Sequence, residues 1–207
     1  MRRLMMVMAG VTVLGLAACD RSQPATGDTA AQAASPGTAN APAVAAAVST
    51  DAEFEQLKTV TPVDACAWLT PEKLRAVYPD LTFEVNQKLE PRMSGYVWDS
   101  RCVYWAGVGT IDYAKDTPTH TVEIFVATSV SDAKAQANLA SRHETAVSAT
   151  GYQAQPSLGV NAYTTANTGV AMLYFTKGQS EVQINVSDLK TPNEEKIKNA
   201  IALAQSL

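Results

Sequence analysis

The stretch that most restricts the fold is "VAMLYFTKGQSEVQINVS", residues 170–187. Its first half, "VAMLYF", is apolar at consecutive positions, as expected of a central strand covered on both faces. "KGQ" then turns the chain. Beyond it Val182, Ile184 and Val186 alternate with Glu181, Gln183 and Asn185, the period-two signature of a half-buried strand. A hairpin of this kind predicts an antiparallel sheet. "TPNEEKIKNAIALAQSL" follows, with Thr191 as expected N-cap, Pro192 opening the helix and Glu194 placed to complete a capping box. Ile197, Ala200, Ile201, Ala204 and Leu207 form its apolar stripe.

Upstream segments read in the same two periods. Thr70 caps and Pro71 opens a short helix with Leu74, Val77 and Tyr78 on one face, ending at Pro79. "YVWDSRCVYWA" (96–106) alternates with Cys102 and Tyr104 on one side, Val103 and Trp105 on the other. An irregular excursion follows. In "TVEIFVAT", Val122, Ile124 and Val126 oppose Glu123, while Phe125 marks the second side as partly covered. Residues 131–147 have helical period, with Ala137, Ala140, Glu144 and Val147 as the spaced face. Tyr163 begins another strand. The expected fold is α+β: an antiparallel sheet of about five to six strands, with helices packed on one face and one disulfide.

The N-terminus speaks to location. Arg2 and Arg3 precede an apolar run, Leu4–Leu16, too short to span a bilayer, which needs about 20 residues. The run ends in Leu16-Ala17-Ala18-Cys19, which resembles a bacterial lipobox. The resemblance implies that residues 1–18 are a lipoprotein signal peptide and that Cys19 carries the lipid. A soluble secreted protein with a fortuitous cysteine, or a thiol in a mature N-terminal helix, is the alternative. Asp20 leans the placement toward an inner membrane. Residues 19–55 then read as a tether: between Arg21 and Thr50 lie eleven alanines, interrupted by Pro24, Pro36 and Pro42 and lacking spaced large apolar residues. Residues 56–207 have the size of one domain.

Removing residues 1–18 takes away two arginines and no acid, so formal net charge falls from −4 to −6. No basic cluster follows, which argues against a nucleic-acid partner. Cys66 and Cys102 are the two downstream cysteines. In an oxidising compartment they have a single possible pairing. A redox or metal pair is the rival, without a C-x-x-C motif or ligand spacing to His120 or His143. No cofactor is expected.

"DACAWLTPEKL" at 64–74 followed by "CVY" at 102–104 is similar to the actinobacterial lipoproteins with "domain of unknown function 3558". Asp64, Cys66, Leu69, Thr70 and Cys102 match their pattern, while Ala65 and Trp68 depart from it. The resemblance implies a small α+β fold of the PsbP-like type with a disulfide, and it brings no catalytic residue.

Other residues invite chemical readings. Ser131-x-x-Lys134 has the spacing of a serine nucleophile and its lysine, but an N-cap serine and a solvent-side lysine explain it. His120 and His143 read as solvated. Tyr96, Trp98, Arg101, Trp105 and Tyr113 crowd a short stretch and form the candidate surface for a protein or peptide. The chain therefore reads as a membrane-anchored envelope binding or accessory module rather than an enzyme. A small-apolar-ligand carrier and a periplasmic inhibitor or immunity-type protein are the alternatives.

Overall fold

The computed structural model describes residues 50–107 and 118–207. Five α-helices are described: α1 (Thr50–Leu57), α2 (Ala65–Trp68), α3 (Pro71–Val77), α4 (Asp132–Ala146) and α5 (Asn193–Ser206). Seven strands form one sheet: β1 (Phe83–Ser94), β2 (Val97–Ala106), β3 (His120–Thr128), β4 (Gln153–Ala154), β5 (Tyr163–Asn167), β6 (Val170–Lys177) and β7 (Ser180–Ser187). Their order is β1-β2-β3-β7-β6-β5-β4, antiparallel throughout. Two meanders meet in the middle, where β7 returns beside β3, and α4 carries the chain from one to the other.

The α+β class and the antiparallel sheet agree with the sequence reading, as does the Cys66–Cys102 disulfide, with Cα atoms 5.1 Å apart. It staples α2 to β2. Nearby, Ala65 N–H donates to the buried Ser100 hydroxyl at 3.1 Å, and the fully buried Tyr104 donates its hydroxyl to the Leu69 carbonyl. Asp64 caps α2 by accepting from Cys66 N–H at 2.9 Å. The main core lies between one face of the sheet and α2, α3 and α5. Cys102, Tyr104, Val122, Ile124, Leu173, Phe175, Val182 and Ile184 meet Leu69, Leu74, Ala200 and Leu203 there.

Helices do not occupy one face alone, which corrects the expectation. α4 packs on the opposite face of β6 and β7. Tyr174 and Tyr163, register partners on neighbouring strands, point there and stack with centroids 4.8 Å apart. Leu139 and Ala146 of α4 cover them. The apolar pattern of "VAMLYF" demanded this second cover: Leu173 and Phe175 meet the main core, while Tyr174 needs α4. The packed stripe of α4 is Ala135, Leu139 and Ala146, not Ala137, Ala140, Glu144 and Val147. Leu139 decides the rotation, because one buried leucine outweighs several alanine methyls.

The strand count also exceeds expectation, chiefly through β1. Its burial alternates weakly and most of its side chains are exposed. It is an edge strand, and Glu90-Pro91 falls in an irregularity of the β1–β2 register, where a missing N–H costs no ladder bond. Charge and proline therefore hid a twelve-residue strand from pattern reading.

Two boundaries shift. α1 straddles the expected tether–domain junction at residue 55: Leu57 is fully buried, its carbonyl accepts from Trp98 Nε1–H at 3.0 Å, and Glu53 pairs with Lys134 at 2.8 Å. α5 begins at Asn193 with Pro192 in the N-cap position and no side-chain cap. Instead the buried Asp188 accepts from the N–H groups of Lys190 at 2.6 Å and Thr191 at 3.2 Å, folding the approach to the helix. Gly151, after α4, has φ +68°, and a Cβ there would lie 2.4 Å from the Ala166 carbonyl oxygen. Cys19 and Tyr113 lie outside the described residues, and among those described no helix is long and apolar enough to cross a membrane.

Candidate functional site

The second face of the sheet is where the fold leaves polar and aromatic groups accessible. Side chains alternate along each strand, so the register places Asp99, Ala127 and Glu181 in one row across β2, β3 and β7. Arg101, Phe125 and Gln183 form the next row, and Val103, Glu123 and Asn185 the one after. α4 shelters the β6–β7 side of this face.

Along the flank of α4 the helix and the sheet enclose a cleft of about 440 Å³, lined by Val97, Asp99, Phe125, Ala127, Asn138, Ser141, Arg142 and Glu181. Three strands supply its floor and one helix its wall, so its groups sit on rigid elements. A second cleft, about 530 Å³, is lined by Glu53 and Gln56 of α1 together with Val130, Ser131, Ala133, Lys134 and Ala137. The two clefts follow successive turns of the same helix.

The electrostatics of this face are uneven. Arg142 Nε meets Glu181 Oε1 at 2.6 Å, with the arginine side chain 53% exposed and the glutamate 8%. Burial raises the Glu181 carboxyl above the ordinary range, and the guanidinium of Arg142 opposes that shift. Beside it, Arg101 pairs with Glu123, whose other oxygen accepts from Asn185 Nδ2 at 3.0 Å. Asn185 Oδ1 in turn accepts from Gln183 Nε2 at 2.9 Å. Asp99, in the cleft, has no ion pair among the described residues.

The residues singled out in the sequence are not brought together as one surface. Arg101 and Trp105 share the second face with the cleft. Trp98 has the parity of Ser100 and Cys102, faces the other way, and spends its indole N–H on Leu57. Tyr96 is 45% exposed in the β1–β2 turn. Strand alternation explains the split: Trp98 and Trp105 differ by seven positions, so they fall on opposite faces. Asp99, Glu181, Asn138, Ser141 and Arg142 carry no motif signal in the sequence, and of the cleft residues only Phe125 stands out there, as partly covered. An aromatic on the polar side of a strand was the legible signal.

The remaining chemical candidates resolve into structural roles. Ser131 Oγ accepts from Lys134 N–H at 3.2 Å as the N-cap of α4, and Lys134 is spent on Glu53 rather than on solvent. His143 is not simply solvated: its Nε2 lies 2.7 Å from the Tyr152 hydroxyl and its ring meets Tyr152 and Tyr163 edge-on. Likewise His120 Nε2 lies 3.3 Å from Asp188 Oδ2, and Nδ1 lies 2.9 Å from Thr119 Oγ1. This Thr–His–Asp chain outwardly resembles a nucleophile relay. The Thr119 hydroxyl, however, also bonds the Ala106 carbonyl at 3.2 Å, and Asp188 is committed to backbone N–H groups. Among the described residues no group of three or more His, Cys, Asp or Glu is placed to hold a metal ion.

No protein-family model and no curated protein matches the sequence. Among solved structures, the extracellular domain of PknH from Mycobacterium tuberculosis matches with 12% identity and a TM-score of 0.48, covering 70% of this chain and 96% of that one.

Proposed function

We propose that this chain is a lipid-anchored binding module of the bacterial cell envelope, and that it engages a protein partner through the second face of its sheet along α4. The observation that carries the reading is the placement of α4. It covers β6 and β7 and leaves beside it a cleft where charged, amide, hydroxyl and aromatic groups converge. Rigid elements presenting a few convergent polar groups around an accessible aromatic are the usual make-up of a recognition site. The anchor rests on the lipobox-like Leu16-Ala17-Ala18-Cys19, and similarity to domain of unknown function 3558 lipoproteins belongs to the same proposal. An apolar-ligand carrier fits less well, because Asp99, Arg142 and Glu181 line the cleft.

The test is site-specific photo-crosslinking in intact cells. A photoreactive residue at Ser141, on the cleft wall, is expected to capture a defined partner, whereas one at Gln205 on α5 is not. Equal capture from both positions, or none from Ser141, overturns the docking face. Separately, Cys19→Ala is expected to move the protein from the detergent-extracted fraction to the aqueous one.

A further inference from the structure

α1 is lightly attached to the body. Along it Leu57 is buried and Glu53 half-buried, while Asp51, Ala52, Phe54, Glu55 and Gln56 are exposed. Phe54 keeps 37% of its surface in solvent, with the Lys58 ammonium 4.9 Å from its ring centre. The helix therefore lacks the buried apolar stripe that seats α5 through Ile197, Ala200, Leu203 and Ala204. Nor does its flank close on α4: the cleft of about 530 Å³ has Glu53 and Gln56 on one side and Ser131, Lys134 and Ala137 on the other. The Glu53–Lys134 pair spans it at 2.8 Å with the lysine 39% exposed, and an ion pair that open to water adds little.

The firm contacts sit at the C-terminal end of the helix. There the Leu57 side chain is fully buried and its carbonyl accepts from Trp98 Nε1–H at 3.0 Å. An isolated helix of eight residues is unstable in water, so α1 stays helical while that end is seated. Unseating it breaks no strand ladder, because α1 precedes β1 and pairs with no strand. Opening an element of this kind takes far less free energy than unfolding the sheet. We infer that α1 is a releasable latch: it melts as a unit while the sheet stays folded, withdrawing Leu57 and freeing the Trp98 indole. Its eight residues then pass from a rise of about 1.5 Å to about 3.4 Å each, adding roughly 15 Å to the link between the body and the preceding chain. The gain in reach rests on the lipid anchor proposed above; the latch itself does not.

The experiment is hydrogen exchange by nuclear magnetic resonance on the full chain, isotope-labelled and held in detergent, at increasing urea below the unfolding transition. The helical amides of α1 and the Trp98 indole N–H are expected to open together, with protection at least about a hundredfold below that of the β3 and β7 amides. Their opening should respond weakly to urea, because it exposes little surface, whereas that of β3 and β7 should respond steeply. In Leu57→Ala the α1 carbon shifts should move to coil values and the indole protection should vanish, while the β3 and β7 resonances keep their folded positions. Three outcomes overturn the latch: α1 amides that share the protection and urea response of β3 and β7, a Leu57→Ala chain whose α1 stays helical, and a Leu57→Ala chain that loses the sheet as well. The expected exchange pattern in a chain whose Cys19→Ala variant partitions like wild type keeps the latch and removes the gain in reach.

Discussion

Leu139→Ala tests where α4 sits. Leu139 is fully buried against Tyr163, with Ala146, Tyr152 and Tyr174 around it. The substitution removes three carbons, worth about 2.4 kcal/mol at ~0.8 kcal/mol per methylene. A cavity cost of ~24 cal/mol per Å³ adds to this. Tyr152 and Tyr174 are only partly buried and can settle into the space, so the cavity term stays small and the total is about 3 kcal/mol. Val147, on the face that the alanine spacing nominates, is 53% exposed, and Val147→Ala is expected to cost less than about 0.5 kcal/mol. Equilibrium urea unfolding with the disulfide intact, followed by far-ultraviolet circular dichroism, measures both. The midpoint should fall for Leu139→Ala at constant slope. A near-neutral Leu139→Ala together with a costly Val147→Ala would mean that α4 is rotated and that the cleft beside it is misplaced.

Three further outcomes are expected. Replacing Cys66 and Cys102 together with alanine releases a loop of sequence separation 36 and should cost about 4 kcal/mol by the chain-entropy relation, read as a shift in the urea midpoint. Tyr104→Phe leaves the Leu69 carbonyl without its donor and should cost about 1–2 kcal/mol. Burial pushes the Tyr104 phenol up to about 12; a raised acid contributes stability that is complete below the unfolded value of about 10 and fades as pH climbs toward 12, so Tyr104→Phe should flatten the alkaline limb of the stability profile. Arg142→Ala strips the counter-charge from the nearly buried Glu181, and the half-exposed arginine sets the cost between an exposed and a buried pair, about 1–2 kcal/mol at neutral pH. Since burial already raises the Glu181 carboxyl and removing Arg142 raises it further, the deficit should shrink as pH falls and Glu181 takes a proton. A pH-independent deficit would show that packing, not charge, is lost.

Reading the site from the chain met two obstacles, one local and one long-range. Locally, β1 carries Lys88, Glu90, Pro91 and Arg92, residues that protect an edge and erase the apolar alternation that marks a strand. At long range, the cleft joins Asp99, Ala127, Asn138, Arg142 and Glu181, drawn from three strands and the crossover helix. The aromatic density between Tyr96 and Tyr113 is legible in the sequence and marks β2. Parity then divided it, with Trp98 to one face and Arg101 and Trp105 to the other. Sequence proximity is a poor guide to a shared surface on a strand, because neighbours in the chain point apart.

Residue spacing along the chain carries the α+β class and the two alternating sides of β2, β3 and β7, and it makes Cys66 and Cys102 the pair expected in an oxidising compartment. The disulfide itself is shown by the structure, which brings the two sulfurs together. Long-range packing sets the rest: β7 returns beside β3, α4 crosses to the second face, and Asp99 and Glu181 flank the same alanine. Those outcomes depend on which apolar surfaces find each other. Leu139 meeting Tyr163 and Tyr174 is a contact between distant segments, and no periodicity within either segment records it.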